Sequence, residues 1–293
     1  MTYEQQYRAY LSLFEKNLSD ICERYLPTSS RVSQAARYSL LAGGKRVRAI
    51  LTLACCELLG GTPSDAVDFA CAVEMLHCFS LIHDDLPCMD NDDFRRGKPS
   101  CHKAYDEATA LLAGDVLLTE CFEVIASSNA SDSAKVRATV ELAKGGGSHG
   151  MILGQELDLA YENIPATEEI LRKIHRNKTG ALINAAVQMG VCAANGSERD
   201  HSILERYAFG LGLVFQIIDD VLDVTSTEEE LGKPIGSDIE NGKVTFATLY
   251  GPQGAMDLAK KLNHEICSEL HEAYGCKAEF LVQLAEQLLI RRN

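Results

Sequence analysis

Apolar residues recur at intervals of three and four along almost the whole chain, and no segment alternates convincingly between apolar and polar. That periodicity confines the fold to packed helices. Punctuation falls between the periodic runs, at Gly43-Gly44, Gly60-Gly61-Thr62-Pro63, Gly145-Gly146-Gly147 and Ile164-Pro165-Ala166-Thr167. Thr62-Pro63 and Thr167-Glu168-Glu169 are chemically sound helix starts. A hydroxyl can cap the first turn, proline gives up an N–H that this turn does not use, and acids suit the positive end of the dipole. The chain is 293 residues long and 46% hydrophobic, with seven prolines, so it can bury a large core with few interruptions. No low-complexity linker or short repeat divides it. A single all-α domain over residues 1–293, of about ten or more helices, is expected.

The net charge of −14 excludes nucleic acid as an expected partner, because phosphate backbones need a basic patch. An acidic chain that handles phosphates must reverse its charge locally, with metal ions or clustered Lys and Arg. None of the eleven cysteines falls in C-x-x-C spacing, which reads as reduced core thiols in a cytoplasmic protein. The opening stretch has no basic region followed by an apolar run, so no signal peptide is expected. The longest uncharged stretch, Thr179 to Ser197, holds Asn184, Gln188 and Asn195, so neither a membrane span nor stable membrane association is expected.

Three helix faces end or begin in charge. Ala70, Val73, His77, Ser80 and Asp84 step by three and four, as do Phe209, Gly212, Gln216, Asp219 and Asp223. Lys178, Leu182, Ala185 and Met189 form the third stripe. Asp219 and Asp223 lie one turn apart, and two such carboxylates repel by ~4 kcal/mol at 4 Å near a surface. One cluster alone fits a solvated helix end as well as a metal site. Hard oxygen ligands on an inward face favour Mg²⁺, which keeps several waters and shares itself with substrate phosphates. In the other cluster, Pro87 limits the helix, and Asp84 and Asp90 converge if residues Leu86 to Met89 bulge outward. Asp92, Asp93, Arg95 and Arg96 follow, a mixture suited to metal-bridged diphosphate or to an ordinary surface loop. Gly43-Gly44-Lys45-Arg46-Val47-Arg48 presents cations near a helix start, where phosphate is welcome, although such turns also occur on plain surfaces. His77 alone reads as a core histidine. Its place two turns before Asp84, ~10.5 Å along the axis, marks it out.

The segments Leu81 to Asp93 and Phe215 to Asp223 resemble the first and second aspartate-rich motifs of trans-isoprenyl diphosphate synthases. Gly43 to Arg48, His175 to Gly180 and Leu231 to Asp238 resemble supporting motifs of that family, in its order. The chain is similar to bacterial farnesyl diphosphate synthases and their geranylgeranyl relatives over nearly its whole length. The resemblance implies the isoprenoid synthase fold around a central cavity, a homodimer, and Mg²⁺ at three ions per site. It also implies head-to-tail condensation of prenyl diphosphates. Isopentenyl diphosphate would be held by Gly44, Lys45, Arg48, His77 and Arg96, and the allylic diphosphate by Arg95, Lys178 and Lys233. Thr179 and Gln216 would line the place where the allylic cation forms. Metal would fall to Asp84, Asp85, Asp90, Asp219 and Asp223, with the catalytic weight on Asp84, Asp90, Asp219, Lys178, Thr179 and Gln216.

Product length follows from the helix that ends at Asp84. Phe79 and Ser80, five and four positions before it, would form a floor. An aromatic at the fifth position, with two extra residues inside the motif, resembles the bacterial farnesyl pattern, so C15 is expected, with C20 as the alternative. A class I terpene cyclase is disfavoured by Asp219-Asp220-x2-Asp223 and the Lys45/Arg48 cations. A non-catalytic subunit is disfavoured because both aspartate clusters are intact. One departure is Leu153, where the family commonly has the first of two glycines.

Overall fold

The structure, a computed structural model, describes residues 1–162, 164–225 and 244–290. Its helices begin where the sequence supplies caps. In α1 (Tyr3–Tyr25), the Thr2 hydroxyl accepts from the Gln5 N–H at 3.3 Å, and the Gln5 side chain answers the Thr2 N–H at 3.0 Å. In α4 (Pro63–Asp84), the Asp65 carboxylate accepts from the N–H and hydroxyl of Thr62, both at 2.8 Å, with Pro63 in the first turn. In α9 (Glu168–His175), the Thr167 hydroxyl accepts from the Ile170 N–H at 3.4 Å. Both helix starts expected from the sequence are therefore present.

Packing divides the chain into two compact units, Met1–Glu141 with Met189–Asn195, and Leu142–Gln188 with Gly196–Asn293. The first is built on α4, which packs against α1, α3 (Val47–Leu58), α2 (Arg31–Leu40) and α6 (Glu107–Ala126). Phe69, Val73, Met75 and Leu76 are buried around its whole circumference, so α4 is a core helix. Each such side chain contributes about 2 kcal/mol by leaving water. By length and composition α4 could cross a membrane, but 72% of its most apolar window is buried inside the protein.

The residue pattern does not announce the small antiparallel hairpin that follows α4. Strands β1 (Phe94–Arg95) and β2 (Lys98–Pro99) pair through a turn in which Arg96 and Gly97 both have positive φ, 54° and 73°. Two positive φ values in a two-residue turn match the twist of a tight hairpin. Strands of two residues are too short to show alternation. The short α5 (Cys101–Ala104) leads from the hairpin to α6.

In the second unit, α11 (Glu198–Thr225) packs along α12 (Phe246–Tyr274), which is kinked at Gly251-Pro252. The Tyr207 hydroxyl donates to the Leu281 carbonyl at 2.9 Å and ties in α13 (Glu279–Leu289). Leu171, Val214, Ile217 and Phe246 form the core beside the second aspartate motif. The unit also holds α8 (Met151–Ala160), whereas α7 (Asp132–Gly146) belongs for its first ten residues to the first unit and ends at the triple glycine in the second. Between α9 and α10 (Ala181–Ala193) the helix widens into a π-turn over Arg176–Gly180.

Candidate active site

In the first unit, α4 stops at Asp84 because Pro87 cannot continue the hydrogen-bond ladder. Residues 86 to 89 loop out, with the Met89 N–H donating to the Leu86 carbonyl at 2.9 Å. The Asp90 N–H then returns to the Asp84 carbonyl at 2.9 Å. The bulge postulated from the sequence thus brings Asp84, half-buried, beside the exposed Asp90.

Asp85 is different. Successive helical residues point about 100° apart, and Asp85 is buried beneath the hairpin at 2% exposure. Arg95 donates to it through Nε at 2.9 Å and again through Nη2, and reaches Asp92 at 3.1 Å. Burial pushes the Asp85 carboxyl up, and Arg95 pulls against that shift. Asp85 and Arg95, expected from the sequence to serve metal and diphosphate, bond each other here and fasten the hairpin under the motif.

The hairpin turn presents Arg96 to the Gly43-Gly44 turn. Its guanidinium donates to the Gly43 carbonyl, and a Cβ on Gly44 would lie 3.0 Å from Arg96 Cζ. Gly44, at φ 122°, is thus a cradle. Arg46 turns inward through a left-handed φ of 52° and is 4% exposed. It bonds Glu15 at 2.9 Å and the Leu40 carbonyl at 2.8 Å, a structural use that the sequence did not distinguish from its neighbours. Arg48 lies on the other side. Its Nε is enclosed and has no hydrogen-bond partner among the described residues. Burial pulls its pKa down to about 10, opposed by Glu74 and reinforced by Arg96. Burial also holds His77 well below the usual histidine range, with Arg48 and Arg96 adding to the effect. Lys45 is exposed beside them in sequence. The acidic chain has therefore gathered Arg48, His77 and Arg96 into one cationic cluster, with Glu74 as a neighbouring carboxylate.

In the second unit, Asp219 is half-buried, while Asp220 and Asp223 are buried at 5% and 3% exposure. Both carboxylate oxygens of Asp223 are enclosed without a hydrogen-bond partner among the described residues. A buried carboxylate so placed costs several kcal/mol unless a cation joins it. The donor set is hard oxygen and suits Mg²⁺. No group of three or more His, Cys, Asp or Glu side chains is arranged to hold a metal among the described residues. Carboxylates offered in pairs leave coordination positions for water and phosphate, as Mg²⁺ prefers.

Lys178 and Thr179 sit in the π-turn. The Thr179 hydroxyl donates to the Gln216 side-chain oxygen, and Lys178 Nζ bonds Asp158 at 2.7 Å. Gly154 makes this possible, because a Cβ there would lie 2.0 Å from the Lys178 backbone nitrogen. Asp158, four residues on and on the same face of α8, is the partner that sequence reasoning missed. The glycine-then-aspartate spacing of four was its signal. Lys233 and the segment Leu231 to Asp238 lie outside the described residues.

With this geometry in view, the polyprenyl synthetase sequence profile matches residues 29–282. The chain belongs to the polyprenyl synthetase family. Geranylgeranyl pyrophosphate synthase 9, chloroplastic, of Arabidopsis thaliana is 48% identical over 268 residues, covering 89% of this chain and 74% of that protein. The geranyltransferase structure from Legionella pneumophila matches with a TM-score of 0.86 and 37% identity, covering 98% of this chain and 96% of that one. The geranyltransferase from Helicobacter pylori, complexed with magnesium and isoprenyl diphosphate, matches with a TM-score of 0.86 and 36% identity over 97% of each chain. The isoprenoid synthase fold expected from the sequence is the fold of this chain.

The departure at Leu153 is local. The close approach to the π-turn falls on Gly154, which is kept, and Leu153 is only half-buried. Phe79 is buried at 7% exposure and meets the His83 ring edge-on, 4.8 Å between centroids. Ser80 is partly exposed and donates to the His77 carbonyl at 2.8 Å.

His175, at the end of α9, has a pH signature. Burial holds its pKa down at about 4, with Asp158 opposing and Lys178 reinforcing the shift. An unfolded histidine titrates near 6.5. Between those values the unfolded chain takes up a proton that the folded chain refuses. The stability from neutral His175 is therefore full above pH ~6.5 and falls, by up to about 3 kcal/mol, towards pH 4. Urea unfolding from pH 7 to 4.5 should show wild type losing more stability than His175→Phe, and parallel losses would refute it.

Proposed function

We propose that the chain condenses isopentenyl diphosphate with allylic diphosphates as far as the C20 product, geranylgeranyl diphosphate. The family chemistry is head-to-tail prenyl condensation on prenyl diphosphate substrates. The observation that carries the product assignment is the 48% identity to a geranylgeranyl pyrophosphate synthase over 89% of the chain. The C15 expectation is thereby displaced as the main reading. It stays as a second one, favoured by the buried Phe79.

In this reading Arg48, His77, Arg96, Lys45 and the Gly44 cradle bind the isopentenyl diphosphate without metal. Their mutual repulsion in the free protein is relieved by the anion. Asp84 and Asp90 from the first motif, and Asp219 and Asp223 from the second, would hold Mg²⁺. Bound there, Mg²⁺ supplies charge stabilisation to a departing diphosphate. Lys178 adds positive charge for the allylic diphosphate, and the Thr179–Gln216 pair turns polar atoms towards the forming allylic cation. The allylic C–O bond breaks with its electron pair leaving on diphosphate. The isopentenyl double bond then attacks C1, and a proton passes to the released diphosphate. Apolar helix faces exclude the water that would quench the cation.

We read residues 1–293 as one functional domain, because the family profile draws on both units. A homodimer is the expected assembly, and Leu111 and Leu112 on α6, about half exposed, offer an apolar face for it. All eleven cysteines are free, which suits any reducing compartment. The cytoplasmic location expected from the sequence is not shared by the named plant relative, which is chloroplastic.

Incubation with isopentenyl diphosphate and C5, C10 or C15 allylic diphosphates, with and without Mg²⁺, tests this reading by product length. C20 product that requires Mg²⁺ is expected. A product profile stopping at C15, and lengthened by Phe79→Ala, would establish the second reading instead.

A further inference from the structure

The three aspartates of the second motif occupy three different environments, and Asp220 is the one tied to another helix. Its Oδ2 accepts from the Phe246 N–H at 2.8 Å, at the first residue of α12. The first N–H groups of a helix have no partner within the helix. Thr245 caps α12 in the usual way, its hydroxyl accepting from the Thr248 N–H at 3.2 Å, one turn into the helix. That leaves the Phe246 N–H for an outside acceptor, and Asp220 supplies it.

The bond is charge-assisted, 5% exposed at the aspartate, and placed at the first turn of α12, ahead of the kink at Gly251. Asp220 thus accepts the first N–H of α12. Asp223, three residues later, has no hydrogen-bond partner among the described residues.

His175 closes the other side of this junction. Its ring stacks on Phe246, with centroids 5.7 Å apart and planes at 28°, and its Nε2 lies 3.9 Å from Asp220 Oδ2. That distance is too long for a hydrogen bond. His175 acts as a flat wall that keeps Phe246, and with it the start of α12, against the motif. Arg172 covers Phe246 as well, 5.4 Å from its ring centroid.

We propose that Asp220 is a positioning residue that clamps the N-terminus of α12 to the second aspartate motif, leaving metal binding to Asp219 and Asp223. This assignment rests on the aspartate-motif reading above for its metal half only, since the clamp is a property of the metal-free protein.

Hydrogen exchange of the metal-free protein, followed on the peptide containing Phe246, tests the clamp directly. Asp220→Asn keeps the shape and an acceptor oxygen, so exchange there should stay within about threefold of wild type. Asp220→Ala removes the acceptor and should speed exchange about tenfold. Asn exchanging as fast as Ala, or Ala as slowly as wild type, overturns the clamp. If the alanine variant does not fold, Asp220→Asn alone decides through the Mg²⁺ dependence of the reaction. Half-saturation within about twofold of wild type supports a positioning role. A tenfold rise, as for a ligand lost from the metal, overturns it, and a protein inactive throughout would count against the prenyltransferase reading rather than the clamp.

Discussion

Replacing Asp84 by asparagine is expected to lower kcat by about 10³-fold while leaving the folded state intact. The carboxylate sits at the C-terminal end of α4, half-buried, next to Asp85 and opposite the returning Asp90. A negative charge at that end of a helix opposes the dipole and lies beside Asp85, while Arg95 attracts it. Neutralising it sets relieved repulsion against that lost attraction, so the thermal midpoint should change little. The loss falls instead on the reaction, because two hard oxygens drawn together by the 86–89 bulge are what a cation and its diphosphate would share. Single-turnover rates, beside thermal melts with and without Mg²⁺, separate these effects. The variant should lose both turnover and Mg²⁺-induced stabilisation. Near-normal turnover would remove Asp84 from the metal set, and a melt lowered by many degrees would make its role structural.

The helical class was legible because each helix carries its own periodicity and start signal. Thr62, Pro63 and Thr167 act locally and need no tertiary partner. The convergence of Asp84 and Asp90 was legible for the same reason, since Pro87 forbids the straight path. Where legibility failed, the deciding contact comes from elsewhere in the chain. Arg46 and Arg48 are two residues apart, and only a left-handed turn at Arg46 sends one to Glu15 and leaves the other enclosed beside His77. The bond between Asp85 and Arg95 was not legible, because the hairpin that brings them together has strands of only two residues. Asp220 and Asp223 look equivalent in the motif, yet the N-terminus of α12 meets only the first. Product length was the least legible. A single aromatic at position 79 pointed to C15, whereas the C20 proposal rests on 48% identity over 89% of the chain.

Arg48→Gln should raise the KM for isopentenyl diphosphate about 100-fold, with the allylic KM changed by less than about threefold. The asymmetry follows from where the charge sits. Arg48 is held among His77 and Arg96 with its Nε unpartnered among the described residues, and burial already draws its pKa down to about 10. Such a guanidinium is unfavourable in the empty protein and becomes favourable only when an anion arrives. Glutamine removes the charge and keeps much of the stem. The free protein should therefore be as stable as wild type, and only diphosphate binding should suffer. A structural arginine behaves oppositely. If Arg48 served mainly to balance Glu74, which already accepts from the Ala49 N–H at 3.2 Å and faces Arg46 at 3.8 Å, the melt would fall while KM held. Steady-state kinetics in each substrate, read against the melt, decide between them. Equal rises in both KM values would mean that the cluster does not discriminate the two diphosphates, and the division of substrates between the cationic and carboxylate sites would have to be redrawn.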